Sequence, residues 1–370
     1  MYRNFRPLLF RLEPERAHAL TLLILRATQR IPPALWLLKQ IYASPSKPVE
    51  AFGLKFKNPV GLAAGYDKDG LAIRGLAALG FGHVEIGTVT PRPQAGNPRP
   101  RVFRLPEDEA IINRMGFPSR GSQFVQMRLD PGMMGDWLER FLGWRSRRPN
   151  TAPRRWPMVL GVNLGKNKDT PNEQAVFDYL ALLQNFAPYA DYLTINVSSP
   201  NTVGLRQLQG RDALEGLLTE LHAQRKLEEK RLDKKLPLLV KLAPDLSAPE
   251  LDDALGVILR TRMDGVIATN TTLARDGLRR RPELVEGSSH QVESGGLSGG
   301  PLRSRSEAVL RQIVNRVDGK IPIVSAGGIM SPEDAKRRLD MGAALVQVYT
   351  GLVYRGPGLV KQIVRGLSSS

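Results

Sequence analysis

The chain predicts an α/β protein, a (β/α)₈ TIM barrel preceded by an N-terminal helical hairpin. Three observations carry that reading. Eight short apolar, β-branched runs recur along the 370 residues, helix-like segments separate them, and each run ends in a polar or glycine residue that packing alone does not require. Strands that alternate with helices imply a parallel sheet, because parallel neighbours need long crossover connections. Eight such units over about 300 residues suit a closed barrel, with an open doubly wound sheet as the alternative.

In chain order the runs are "NPVGLAA" (58–64), "GHVEIGT" (82–88), "MVLGVNL" (158–164), "DYLTINV" (191–197), "PLLVKLA" (237–243), "DGVIATN" (264–270), "IPIVSAG" (321–327) and "ALVQVYT" (344–350). Between the fourth and fifth, Leu214, Leu217, Leu218 and Leu221 repeat at helical spacing, a core-facing stripe. Ser247 with Glu250, and Ser331 with Asp334, have capping-box spacing ahead of amphipathic runs. Ahead of the barrel, Leu20, Leu23, Ile24 and Ala27, then Leu35 to Leu38 and Ile41, form two apolar segments interleaved with Arg16, Arg26, Arg30 and Lys39 and separated by Pro32-Pro33. They read either as helices packed on the barrel or as an interfacial hairpin, apolar side in the lipid headgroup region and basic side chains on anionic lipid. The expected division is a helical unit over 1–45 and a barrel over 46–370, with basic insertions near 120–157 and 275–294.

Composition narrows the chemistry. Cysteine is absent, which excludes disulfides, Fe–S clusters, thiolate zinc sites and a cysteine nucleophile or acid. Four histidines (His18, His83, His222, His290) lie far apart with no HxH or HxxxH spacing, so no metal is expected. No stretch approaches the 18 or so apolar residues of a membrane span. The start lacks an uninterrupted apolar core and a cleavage site, so no signal peptide is expected and the protein is expected to stay inside the cell. The net charge of +17 points to an anionic partner: nucleic acid, lipid or an acidic small molecule. Residues 1–45 carry seven Lys/Arg against two Glu, and 120–156 eight Arg against three acids, including "WRSRRP" (144–149) and "PRRW" (153–156). That second cluster and Arg279-Arg280-Arg281 sit among Gly, Pro and Ser, as solvated loops do.

The strand tips carry Gly65 with Lys68, Thr88, Asn163, Asn196, Lys241, Thr269 with Asn270, Gly327 with Gly328, and Tyr349 with Thr350. One such tip is an ordinary turn. Eight in register at the carboxyl end of a barrel, where active sites lie, make a ring of donors around one pocket. "SGGLSGGPL" (294–302) and "SAGGI" (325–329) are placed ahead of the last two strand–helix turns, where glycines let backbone amides approach a phosphate, so a phosphorylated cofactor is expected there.

The motifs "LEPERAHAL" (12–20), "GLAAGYDKDG" (61–70), "GNPRPRVFRL" (96–105), "INRMGF" (112–117), "NLGKNKDTP" (163–171), "INVSSPNT" (195–202), "ATNTT" (268–272) and "LVQVYTGLVYRGP" (345–357) together resemble dihydroorotate dehydrogenase, in its quinone-dependent, membrane-associated class 2. The resemblance covers nearly the whole chain. It implies one FMN per chain and oxidation of (S)-dihydroorotate to orotate, with quinone as electron acceptor, in de novo pyrimidine biosynthesis. In that class the serine before the proline, here Ser199, takes the substrate C5 proton while flavin N5 takes the C6 hydride; class 1 relatives use a cysteine there. Thr202 and Phe117 then shield Ser199 and relay its proton.

Substrate contacts carried over by the resemblance are Lys68, Asn196, Asn201, Asn270, Thr271 and the loop Asn113-Arg114-Met115-Gly116-Phe117. Amides suit a cyclic urea because each offers a donor and an acceptor. The flavin contacts are Ala64, Gly65, Tyr66, Asp67, Lys68, Thr88, Asn163, Asn196, Lys241, Thr269, Gly299, Gly328, Tyr349 and Thr350, with Lys241 at the flavin N1–O2 edge. His18 and Arg104 match the quinone path, which Tyr349 also reaches, and the implied location is peripheral, on the cytoplasmic face of the bacterial inner membrane. Two departures stand out: Tyr66 replaces a more usual leucine, and Pro118-Ser119-Arg120 follows Phe117 where asparagine is common, which stiffens the loop. A flavin barrel acting on RNA or another pyrimidine is the rival enzyme, but RNA-directed relatives use a cysteine acid that this chain lacks. A nucleic-acid-binding module would leave the polar tips idle, and no nucleic-acid partner is expected.

Overall fold

A computed structural model describes residues 2–130, 156–278 and 293–368. Strands β1 (Val49–Ala51) and β2 (Leu54–Phe56) form an antiparallel hairpin, after which β3 (Val60–Leu62) and β4 (His83–Val89) open a barrel. After an excursion through β5 (Val102–Leu105) and β6 (Ala110–Asn113), the barrel continues with β7 (Val159–Leu164), β8 (Tyr192–Asn196), β9 (Leu238–Leu242) and β10 (Gly265–Ala268). A second excursion, β11 (Gly296–Gly299), precedes β12 (Ile323–Ala326) and β13 (Leu345–Val348). The ladder β3-β4-β7-β8-β9-β10-β12-β13 is parallel throughout and closes on itself, so each of the eight predicted runs holds one barrel strand.

These strands are apolar on both faces because helices cover one and the barrel interior the other. The helix Arg211–Leu232 buries the predicted stripe Leu214, Leu217, Leu218 and Leu221. Ser247 forms the full capping box with Glu250. Ser331 forms only half of one: its side chain accepts from Asp334 N (3.2 Å), while the Asp334 carboxylate turns to Met330 N (2.9 Å).

The amino end of the barrel is shut. A β-carbon on Gly61 would fall 1.9 Å from the His83 ring, and one on Gly161 2.2 Å from Tyr192, so glycine is what admits these two rings to the interior. Phe56 of the β1–β2 hairpin stacks edge-on against His83 at 5.4 Å and plugs what remains. Any ligand must therefore enter from the carboxyl ends. There β11 pairs antiparallel with β6, joining the loops after β4 and β10 into a three-stranded sheet at that end. The glycine run 294–302 lies between the sixth and seventh barrel strands and "SAGGI" at the tip of the seventh, both ahead of the last strand–helix turns as expected. What the pattern did not show is that the first run forms a strand outside the barrel. The β11 strand still reaches the eighth strand's loop, through Ser298 Oγ and Thr350 Oγ1 at 2.9 Å.

The N-terminal residues form three helices: α1 (Tyr2–Arg11), α2 (Pro14–Thr28) and α3 (Pro32–Tyr42). The two expected segments are α2 and α3. The additional α1 has Pro7 inside it and no acidic residue in its first turn, so nothing in its sequence marked a helix start. Pro32-Pro33 opens α3, where a missing N–H costs nothing. Gln29, beyond α2, ties the arm down by donating to Leu71 O (2.6 Å) and accepting from Arg74 N (3.1 Å). Yet Leu20, Leu23, Ile24, Trp36, Leu37 and Ile41 remain exposed. No helix among the described residues is long and apolar enough to cross a membrane. The predicted basic clusters 144–149, Arg154-Arg155 and Arg279–Arg281 lie outside the described residues.

Among the described residues Arg338 is the largest fully buried side chain. Its guanidinium donates to Ser306 Oγ (2.7 Å), Gly327 O (3.0 Å), Arg303 O (3.1 Å) and Ser325 Oγ (3.3 Å), pinning the glycine turn 327–328 from below. Its Nε also lies 3.4 Å from Glu307 Oε1, so Arg338→Met is expected to lower the free energy of unfolding by about 3–5 kcal/mol, as removing one partner of a buried ion pair does. A urea midpoint unchanged from wild type would exclude that role.

Candidate active site

The strand tips, the three-stranded sheet and the arm enclose a cavity of about 430 Å³. Of the predicted residues, Ala64, Gly65, Tyr66, Lys68, Thr88, Asn113, Met115, Gly116, Phe117, Asn196, Ser199, Asn201, Lys241, Thr269, Asn270, Thr271, Gly299, Gly328, Tyr349 and Thr350 line it, and so do His18 and Arg104. Four others do not: Asp67, Arg114, Asn163 and Thr202. The Asp67 carboxylate accepts from Leu71 N and Ala72 N (2.8 Å each) and holds the turn beneath the first strand tip. Burial raises its pKa to about 6 against the pull of those two amides. Arg114 turns outward to Glu293 and lies over the Phe103 ring.

Asn163 belongs to the layer below the cavity. Its Nδ2 donates to Glu85 Oε1 (2.8 Å), while its Oδ1 accepts from Thr88 Oγ1 (2.6 Å) and Asn196 Nδ2 (3.0 Å). Glu85 is fully buried inside the barrel, and Tyr192 OH (3.1 Å), Thr194 Oγ1 (3.0 Å) and Gln347 Nε2 (3.2 Å) also donate to it. Burial lowers the pKa of Lys241, and the charge of Glu85 opposes that shift. Glu85 was missed in the sequence reading, although an acid inside the apolar run "GHVEIGT" was a visible signal.

Above this floor, Asn196 Oδ1 accepts from Ser198 Oγ (3.1 Å) and Asn270 Nδ2 (3.4 Å). Ser199 is buried, and its Oγ accepts from Asn201 N at 3.3 Å. Asn201 Nδ2 donates in turn to Asn113 Oδ1 (3.1 Å). Phe117 closes this end with φ +55°, a conformation costly for a bulky side chain, and its carbonyl accepts from Gln94 Nε2 (2.9 Å). Thr202 Oγ1, Thr269 Oγ1 and Thr271 Oγ1 are buried without a hydrogen-bond partner. Opposite, Gly299, Gly327 and Gly328 all have positive φ and bring bare backbone to the cavity wall. Unpaired hydroxyls, a buried ammonium and glycine-lined backbone suit a planar heterocycle bearing a phosphate.

The end toward the arm is different in character. Tyr66 meets the His18 ring edge-on at 4.8 Å and the Tyr349 ring at 5.9 Å, and its hydroxyl lies 3.1 Å from Thr21 Oγ1. Thr21 donates its one proton to His18 O (2.8 Å), so Tyr66 is the donor to Thr21. Arg104 donates to the carbonyls of Leu9 and Leu12 and sits over the Phe10 ring. Burial, then the charge of Lys68, lowers the His18 pKa to about 4, and burial lowers that of Lys68 to about 8. Burial raises the Tyr349 pKa, leaving its phenol protonated.

The sequence profile of the dihydroorotate dehydrogenase family matches residues 47–370. A dihydroorotate dehydrogenase (quinone) of Halorhodospira halophila is 48% identical over 365 residues, covering 99% of this chain and 97% of that protein. One of Idiomarina loihiensis is 47% identical over 368 residues, covering 99% and 100%. Among solved structures, DHODH of Eimeria tenella in complex with ferulenol superposes with a TM-score of 0.77 at 38% identity, over 96% of this chain and 90% of that one.

A depressed histidine pKa has a consequence for stability. Between pH 6.5 and about 4 an unfolded His18 binds a proton that the folded one refuses, so its contribution to stability falls as pH drops through that window, by at most about 1.4 kcal/mol per pH unit. The raised Asp67 slopes the other way, so the comparison is between variants. His18→Gln is expected to flatten the acid limb of the unfolding free energy relative to wild type; parallel limbs from pH 7 to 4 would show that His18 titrates normally.

Proposed function

The chain belongs to the dihydroorotate dehydrogenase family and oxidises dihydroorotate with a quinone as electron acceptor, in pyrimidine biosynthesis; we propose that it does so with FMN as its flavin and Ser199 as the base. The observation that carries this is the cavity in which Ser199, four asparagine amides, the buried Lys241, the half-buried Lys68 and a glycine-lined wall meet. The backbone of Gly299, Gly327 and Gly328 would hold the phosphate of one FMN per chain, and Lys241, Thr269, Ala64, Gly65, Thr88 and Thr350 its ring and ribityl chain. The chemistry supplied by the flavin is acceptance of the substrate C6 hydride at N5 and delivery of the electrons to quinone.

The chain's own residues do the rest. Asn113, Asn196, Asn201 and Asn270 present paired donors and acceptors to the cyclic urea, and Lys68 sets a cation against the carboxylate. A serine hydroxyl is a poor base at its ordinary pKa. The Asn201 amide donating to Ser199 Oγ stabilises charge on that oxygen, and the unpaired Thr202 hydroxyl supports onward passage of the proton. Phe117 keeps water from that exchange. Lys241, which lines the cavity, would stabilise negative charge on a bound flavin. Asp67 and Asn163 act indirectly, by holding the turn and the amides that make contact.

The arm end of the cavity, with His18, Tyr66, Tyr349 and Arg104, receives the quinone. Residues 1–45 form the quinone-access unit and 46–370 the catalytic barrel. The exposed apolar side chains of α2 and α3, with Arg16, Arg26, Arg30 and Lys39 among them, attach the protein peripherally to anionic lipid on the cytoplasmic face of the inner membrane.

Ser199→Ala should retain flavin but slow its reduction by dihydroorotate about 10²–10⁴-fold at neutral pH, and near-normal single-turnover bleaching in the variant would refute the assignment. Leu23→Asp with Trp36→Asp should abolish sedimentation with vesicles containing anionic lipid while leaving reduction by dihydroorotate unchanged. Undiminished vesicle binding would mean that another surface carries the attachment.

A further inference from the structure

The arm's second helix is tied to the substrate end of the cavity as well as to the quinone end. Glu15, in the first turn of α2, is mostly buried and accepts from Arg101 Nη2 (2.7 Å), Arg101 Nε (3.2 Å) and Arg99 Nη2 (3.0 Å). Arg101 is itself buried. The remaining limb of its guanidinium, Nη1, donates to Ala95 O (2.7 Å) and Asn97 O (2.9 Å), filling the concave side of the turn at 94–97. A β-carbon on Gly96 would lie 2.8 Å from that nitrogen, so the turn is wrapped closely around it.

That turn holds both walls of the substrate pocket. Asn97 N donates to Met115 O (2.9 Å), and Asn97 Nδ2 donates to Arg114 O (2.9 Å) and to Asn201 O (3.0 Å). The loop 113–117 and the loop carrying Ser199 and Asn201 are therefore cross-linked by one amide, whose place is set by Arg101. We propose that Glu15 is a positioning residue for the dihydroorotate half of the reaction, acting through Arg101 and Asn97 on the loops that hold substrate against Ser199. This rests on the reading of the strand-tip ring as the dihydroorotate site.

The physical reason lies in the charge. Among the described residues Glu15 is the carboxylate paired with Arg101. Without it a buried guanidinium lacks its counter-ion, and such a group moves toward water if it can. Movement of Arg101 withdraws both donors from the turn at 94–97, and Asn97 loses its support. A displacement of that kind in positioning groups costs up to about 100-fold in rate.

The test separates the two half-reactions by stopped flow on full-length holoenzyme. Glu15→Gln, which keeps shape and removes charge, is expected to raise the dihydroorotate concentration for half-maximal bleaching rate about tenfold and to lower the limiting rate severalfold. Reoxidation of pre-reduced enzyme by a soluble short-chain quinone should stay within about twofold of wild type. Glu15→Asp should recover part of the loss. Asn97→Ala breaks the other end of the connection, should give the same signature, and decides the matter if the Glu15 variant does not fold. A loss confined to quinone reoxidation, or dihydroorotate kinetics unchanged in Glu15→Gln, would reduce Glu15 to a clamp for the arm. Wild-type enzyme that dihydroorotate does not bleach would instead overturn the reading of the site itself.

Discussion

A carboxylate in the middle of a parallel barrel has to be satisfied by its neighbours, and the geometry of the site follows from how Glu85 is satisfied. Left unpaired there, it would cost several kcal/mol after relaxation, about what a buried ion loses on leaving water. Four donors converge on it, from β7, β8 and β13. The consequence propagates upward through Asn163. Because its NH₂ group must face the carboxylate, its oxygen faces Thr88 and Asn196, and this orients the Asn196 amide with its oxygen toward Ser198 and Asn270. An amide in a cavity is otherwise free to flip end for end; here a buried charge one layer below decides which end a ligand meets. The same charge lies close enough to oppose the loss of the Lys241 proton.

The closed amino end makes the cavity one-sided, so two reactants that never meet must share one mouth region. On the proposed reading the two ends of the cavity differ in character to suit them. At the substrate end the walls are amides, hydroxyls and ammonium groups, the amides held by hydrogen bonds to one another and to the layer below while the Thr269 and Thr271 hydroxyls stay unpaired. At the arm end they are mostly apolar, interrupted by the Tyr66–His18–Tyr349 ring cluster. Tyr66 stands between the two. Its hydroxyl is committed to Thr21, and through Thr21 to His18 O, so the first strand tip and α2 are fastened at the point where the two characters change.

Much of this was legible in the sequence, and the parts that were not share a cause. The eight strands could be read because each apolar run is short and β-branched and ends in a residue that packing does not ask for. The Ser247 cap could be read because both of its bonds join neighbours in sequence. Motif matching found the ring of the site but not the direction of each side chain, so Asp67, Asn163 and Arg114 lie in the right segments and point away from the cavity. That the glycine run 294–302 forms β11 and leaves the barrel to pair with β6 was not legible, because no local pattern announces that connection. Glu15 and Arg101 are 86 positions apart, and each alone is an ordinary surface-type charge. Their meaning comes only from meeting in a place that excludes water.

The arm shows how weak attachments suit its task on the proposed reading. Burying one exposed Leu, Ile or Trp side chain is worth about 1.5–3 kcal/mol when complete, and each basic residue near anionic lipid adds about 1 kcal/mol. Several of each on α2 and α3 give firm but reversible adsorption, well short of the insertion of a spanning helix. Reversibility matters because the helices that face lipid are the ones that close the cavity. A spanning anchor would fix them relative to the bilayer, while a surface-adsorbed arm leaves the barrel free to settle at the depth where a lipid-dissolved quinone can pass between α2 and the first strand tip. The tie through Glu15 then keeps that adjustable arm in register with the substrate loops, so that movement at the lipid surface need not disturb the geometry at Ser199.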